Sequence, residues 1–158
     1  MEKRLLVVVQ LIISLEWLKG GWEKVTGGEF VGGMEKTLGY FASKNPFGLY
    51  KSFLSETAIP NATAFGIMVS WGELLSGLIL ALAALTILLN KRLKFRREIT
   101  LAALIVVMVM NANFWLAAKW TSPAVDGLNL IMFAIEFVLL YAWLFVFTEE
   151  KKKAKAAS

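Results

Sequence analysis

Four long apolar runs alternate with polar or basic connections along this chain, and each is close to the length a helix needs to cross a hydrocarbon core. They cover about 5–22, 65–89, 99–118 and 127–147. The pattern predicts an all-α integral membrane protein, a single domain over 1–158 built as a four-transmembrane-helix bundle. The first run follows Lys3 and Arg4 and has the outline of a signal peptide, but no small-residue cleavage site follows it. It is expected to stay as the first helix, with Glu16 turned into the bundle and the Lys19 ammonium snorkelling outward beside Trp22.

The connection 25–62 is too polar to span and too aromatic for a plain linker. Phe30, Met34, Leu38 and Phe41 recur at spacings of three and four, as in an amphipathic helix lying at an interface. Asn45-Pro46 reads as a helix cap followed by proline at the first helical position, and Asn61 as the cap of the next span. The segment is predicted to be a helical cap on the outer face, a lid burying Phe30, Leu38, Phe41, Phe47, Tyr50 and Leu54 over the mouth of the bundle. A dense basic turn, 90–97, joins the second and third spans. Trp115 and Trp120 form an aromatic belt at the end of the third, and Ser122 or Asp126 caps the fourth. The tail 149–158 is a basic end expected to touch anionic lipid.

Composition narrows the chemistry. A chain of 158 residues that is 58% hydrophobic, with mean hydropathy +0.63, belongs in a lipid bilayer. It contains no Cys and no His. Haem ligated by His, iron–sulfur clusters and any His/Cys metal site are therefore not expected, and redox chemistry would need a diffusible cofactor or a partner subunit. The net charge of +5 is not a nucleic-acid footprint, because Lys and Arg sit beside the apolar runs. Instead it reports topology. All four arginines, Arg4, Arg92, Arg96 and Arg97, fall on the side of the termini and the basic turn, which predicts a multi-pass protein of the cell (plasma) membrane with both termini cytoplasmic.

Against that apolar background the polar groups inside the spans stand out. Glu73 shares a helix face with Gly66, Ser70, Gly77, Ala81 and Ala84, small residues that let another helix come close, so it is expected to point into protein. At about 1.5 Å per residue, Glu16 lies roughly 9 Å below its helix's outer end, Glu73 and Glu136 roughly 14 Å and Asn111 roughly 13 Å. Similar depth predicts one shared pocket opening outward, with Glu73, Glu16 and Glu136 as its catalytic carboxylates. Asn129 shares a face with Glu136, and Asn111 shares one with Trp115; Asn113 is close by. Lys19 and Lys24 lie on the side of Glu16 and offer a cation at the mouth, against the plainer reading that both merely snorkel. Three buried carboxylates cannot all carry charge in a low dielectric. A carboxyl that exchanges a proton beside flat aromatic rings suits a quinone, and Trp17, Trp22, Trp71 and Trp115 are the predicted slot.

Several stretches, in order, resemble the DoxX/DoxD family of small four-helix membrane proteins. They are Gly20-Gly21-Trp22-Glu23-Lys24, Asn45-Pro46 with Tyr50-Lys51-Ser52-Phe53-Leu54, Ile59-Pro60-Asn61-Ala62, Trp71-Gly72-Glu73-Leu74-Leu75-Ser76-Gly77-Leu78, Asn113-Phe114-Trp115-Leu116-Ala117 and Gly127-Leu128-Asn129-Leu130. The resemblance covers nearly the whole chain. It implies a membrane subunit of a quinone-linked oxidoreductase of the respiratory chain; DoxD-like members form the small subunit of thiosulfate:quinone oxidoreductase. It also implies a second subunit. The partners expected of the chain are the lipid bilayer and a second membrane or membrane-associated subunit or a homo-oligomer, with no nucleic acid. The competing readings are a non-catalytic assembly subunit of a larger membrane complex and a small proton-coupled carrier. No discontinuous helix or inverted repeat supports the carrier.

Overall fold

A computed structural model describes residues 2–147, so the basic tail 149–158 lies outside the described residues. The helices are α1 (Glu2–Thr26), α2 (Met34–Lys44), α3 (Gly48–Phe53), α4 (Ala62–Leu88), α5 (Arg96–Ala118) and α6 (Pro123–Tyr141). Two π-helical turns continue them, Leu54–Ala58 after α3 and Ala142–Val146 after α6. Helices α1, α4, α5 and α6, the last with its π-helical turn, are each long and apolar enough to cross a bilayer, so the chain is a multi-pass membrane protein. The spans outrun most of the apolar runs that predict them because flanking polar residues complete the terminal turns.

The α4 face expected to be buried is buried. Gly66, Ser70, Glu73, Gly77, Ala81 and Ala84 all point inward, while Ile67, Leu78, Leu82 and Leu85 are exposed. Helix α1 lies along that face with its backbone close against α4. A Cβ on Gly21 would collide with the Leu74 backbone, and one on Gly77 would lie 2.6 Å from the Leu18 nitrogen. The small residues are there because the two backbones nearly touch. Beyond them Ile13, Trp17, Leu80, Leu104, Val107, Leu139 and Trp143 fill the centre from all four spans.

Polar groups bolt α1 to the rest. Gln10 donates to the Leu80 carbonyl (2.8 Å) and accepts from Trp143 Nε1 (2.7 Å). Trp143 belongs to the second π-helical turn, whose backbone also offers a carbonyl to Arg97 Nε at 3.3 Å. The basic turn reverses the chain through Asn90 and Phe95, both with left-handed backbone (φ 53° and 54°). Ser122 Oγ accepts from Val125 N and caps α6, with Pro123 at the first helical position.

The segment between α1 and α4 is a packed helical cap. Met34, Leu38, Ala42, Leu54, Ala58 and Ala62 form its own small core, and Phe30, Phe41 and Tyr50 pack against it half-buried. Two expected caps turn out differently. Asn45 does not cap α3, whose first residue is Gly48; its side chain instead donates to the carbonyls of Leu116 (3.0 Å) and Ala117 (3.3 Å) while accepting from Phe47 N. It ties the cap to the end of α5, where the last carbonyls have no partner within the helix. Asn61 precedes α4 but makes no capping bond, because its amide turns back to the Thr57 carbonyl at 2.9 Å.

Candidate functional site

Directly beneath the cap is a cavity of about 680 Å³. Its roof is Phe30, Met34, Leu38, Phe41, Tyr50, Phe53 and Leu54 from the cap; its walls come from Phe65, Met68, Val69 and Glu73 on α4 and Ile105, Val106, Val109, Met110, Asn113 and Phe114 on α5. Several wall residues are also on the outside of the bundle. Met68 is 58% exposed and Val109 55% exposed, and both belong to spans. The cavity therefore opens sideways between the spans α4 and α5. A volume of this size, lined mostly by apolar and aromatic groups with a few polar ones, is that of a small-molecule site.

The polar end is an ion pair. Lys24 Nζ lies 2.6 Å from Glu73 Oε2, with the lysine side chain 28% exposed and the glutamate 3%. The same ammonium is 5.4 Å from the centre of the Phe30 ring. Room for the carboxylate exists because residue 20 is glycine: a Cβ there would stand 3.0 Å from Glu73 Oε2. Lys24 and Glu73 are the charged side chains of the cavity wall.

A second polar pair closes the roof onto α5. The Tyr50 hydroxyl donates to the Asn113 carbonyl (3.1 Å) and stands 3.3 Å from its Oδ1, while Asn113 Nδ2 donates to Val109 O. Burial pushes the Tyr50 phenol up from 10.0 to about 12. A proton retained by the folded state and lost by the unfolded one makes stability fall as pH rises from 10.0 to about 12, with the full contribution present below that window. A phenolate absorbance step at about pH 12 is expected, and Tyr50→Phe should abolish it. The same step persisting in Tyr50→Phe would show that the phenol is not held this way.

Glu136 sits elsewhere. It is fully buried between helices, accepting from Trp17 Nε1 (2.8 Å) and from Asn111 Nδ2 at both oxygens (2.9 and 2.8 Å). Neither Glu136 nor Asn111 lines the cavity. The Trp17 and Phe114 rings, 6.4 Å apart, link the two regions. No protein-family model, curated protein or solved structure matches this chain. The site rests on its own geometry.

That geometry corrects several expectations from the sequence. The polar residues do not converge on one pocket: Glu73 lines the cavity, Glu136 is locked in a closed cluster and Glu16 is exposed on the outer face of α1. Depth along a helix says nothing about azimuth, and Glu16 lies beside Trp17, which takes the inward position. The tryptophans do not make the slot either. Trp22 and Trp71 are exposed, Trp17 serves Glu136, and Trp115 donates to Asp126 (2.6 Å) and stacks under Lys119 (4.0 Å). Asn129 donates to the Val125 carbonyl of its own helix, and Lys19 is exposed. Of the two lysines, Lys24 is the one that enters. The rings that do line the cavity are phenylalanines and Tyr50, and the stripe Phe30, Leu38, Phe41 was their signal in the sequence.

Proposed function

We propose that this chain is the quinone-binding membrane subunit of an oxidoreductase, and that the cavity beneath the cap is its quinone site. The observation that carries the reading is a single ion pair, Lys24–Glu73, at one end of an apolar cavity whose exposed wall residues belong to two spans. A hydrophobic ligand partitioned into the bilayer reaches such a site without crossing water. Phe41, Phe53, Phe65 and Phe114 give a flat ring apolar walls. A quinone bound there supplies an acceptor for two electrons and two protons. Lys24 would donate a hydrogen bond to a carbonyl oxygen of that ring, and Glu73 Oε2, paired with Lys24, would hold and pass one of the two protons. The cap covers the cavity and limits the contact of the pair with bulk water.

This chain has no Cys or His to hold a redox centre, so in this reading the electrons come from a donor on a second membrane or membrane-associated subunit. The resemblance to DoxD-like proteins points to thiosulfate as the ultimate reductant. With the arginines inside, both termini are cytoplasmic and the cap faces outward. The closed Trp17–Asn111–Glu136 cluster favours the assembly reading for that part of the bundle, since both Glu136 oxygens are already engaged.

Titration of a ubiquinone or menaquinone analogue into protein in lipid nanodiscs tests the proposal. Binding is expected, with Glu73→Gln keeping the fold but lowering affinity or turnover about tenfold, roughly one charge-assisted hydrogen bond. Unchanged binding and turnover in Glu73→Gln would leave the ion pair a structural feature and the reading wrong.

A further inference from the structure

Helix α1 differs from the other spans in what it shows to the outside. The exposed faces of α4, α5 and α6 away from their ends are uncharged: Ile67, Leu78 and Leu85, Ile105 and Val109, Phe137 and Val138. Helix α1 exposes Glu16 and Lys19. About 15 Å of helix separates Glu16 from Thr26 and about 21 Å separates it from Glu2, so the carboxylate is far from either end. Neither Glu16 nor Lys19 has a hydrogen-bonding or ionic partner among the described residues. A carboxylate left facing hydrocarbon is costly, and spans normally turn such groups toward protein.

The exposed positions of α1 are also regular. Leu5, Val8, Ile12, Leu15, Lys19, Trp22 and Thr26 are all exposed and follow one another at alternating steps of three and four. That is the seam of a parallel helix pair, in which a single lysine on the seam fixes the register.

We propose that this face is the interface of a homodimer, two α1 helices packed in parallel about a twofold axis along the membrane normal. Copies inserted with the same orientation necessarily run α1 parallel, and an isologous contact sets each residue opposite its own counterpart. Around the Leu15 layer, Lys19 of one copy and Glu16 of the other then flank the same seam. Lys19 faces its own counterpart on the seam, and the Glu16 carboxylates flanking it offset that like-charge contact, so each copy brings both members of an opposite-charge pair. The face is separate from the cavity mouth, which α4 and α5 line, and the dimer stands whether or not the cavity takes a quinone.

The chain contains no cysteine, so single cysteines report proximity directly. Val8→Cys, Ile12→Cys and Leu15→Cys, oxidised in native membranes, are expected to form a covalent dimer of twice the monomer mass. Leu78→Cys on α4 and Phe137→Cys on α6 are expected to form at least tenfold less. Glu16→Lys should weaken dimerisation at least tenfold in detergent or nanodiscs, and Glu16→Lys with Lys19→Glu should restore it, because the pair is then complementary with its signs exchanged. Cross-linking that fails on α1, that is equal on α4 and α6, or that yields an adduct with a different protein would overturn the homodimer. So would a charge exchange that leaves Glu16→Lys unrescued while the variant remains helical and monodisperse.

Discussion

Lys24→Met is expected to destabilise the bundle by about 3 kcal/mol, the low end of the range for breaking a buried ion pair, since Lys24 retains some exposure to solvent. Removing the ammonium leaves the Glu73 carboxylate, 3% exposed, against an apolar cavity wall without its 2.6 Å partner. Most of the penalty comes from the buried charge that then has no partner. Glu73→Gln in the Lys24→Met background is therefore expected to recover most of the stability, because two neutral side chains of similar length fill the same space. A thermal or denaturant melt of the four proteins in one detergent gives the comparison as a double-mutant cycle. If Lys24→Met melted with the unchanged protein, the pair would carry no structural weight.

Gly21→Ala and Gly77→Ala should each cost about 1 to 3 kcal/mol, the range for overpacking a tight contact. At both positions the added carbon meets backbone, the Leu74 main chain in one case and Leu18 N at 2.6 Å in the other. A flexible side chain could swing aside, but a helix backbone yields only by moving the whole helix. Because Gly20, next to Gly21, borders Glu73, a displaced α1 would also open the Lys24–Glu73 contact. Gly39→Ala in α2 and Gly127→Ala in α6 are the controls, with nothing within 4 Å of the added carbon. There alanine is expected to be neutral or to stabilise by up to about 1 kcal/mol through helix propensity. Melts of all four variants would decide the matter, and equal effects at the tight and the open glycines would remove the close approach of α1 and α4 as the explanation.

What a bilayer demands of a chain is largely local, and so the number of spans, their approximate limits and the helical cap could be read from residue order. Apolar runs of sufficient length must be helices in hydrocarbon, because no water is present to satisfy the backbone. The inward face of α4 was equally legible, since small residues recurring around Glu73 have one physical use in a span. Azimuth on the other helices was not. Glu16 and Trp17 are neighbours in sequence and point about 100° apart on a helix, and which of them turns inward depends on whether Glu136 of α6 is there to accept from the indole. The cap residues show the same division. A stripe of Phe30, Leu38 and Phe41 announces an apolar face, but that this face roofs a cavity follows from where α4 and α5 part beneath it. Asn45 carries a side chain suited to any of several backbone partners, and the Leu116 and Ala117 carbonyls at the end of α5 selected one. Residue order determined which groups are apolar, small or ionisable along each helix; the packing of four helices decided which ionisable groups meet, because pairing needs neighbours from distant parts of the chain.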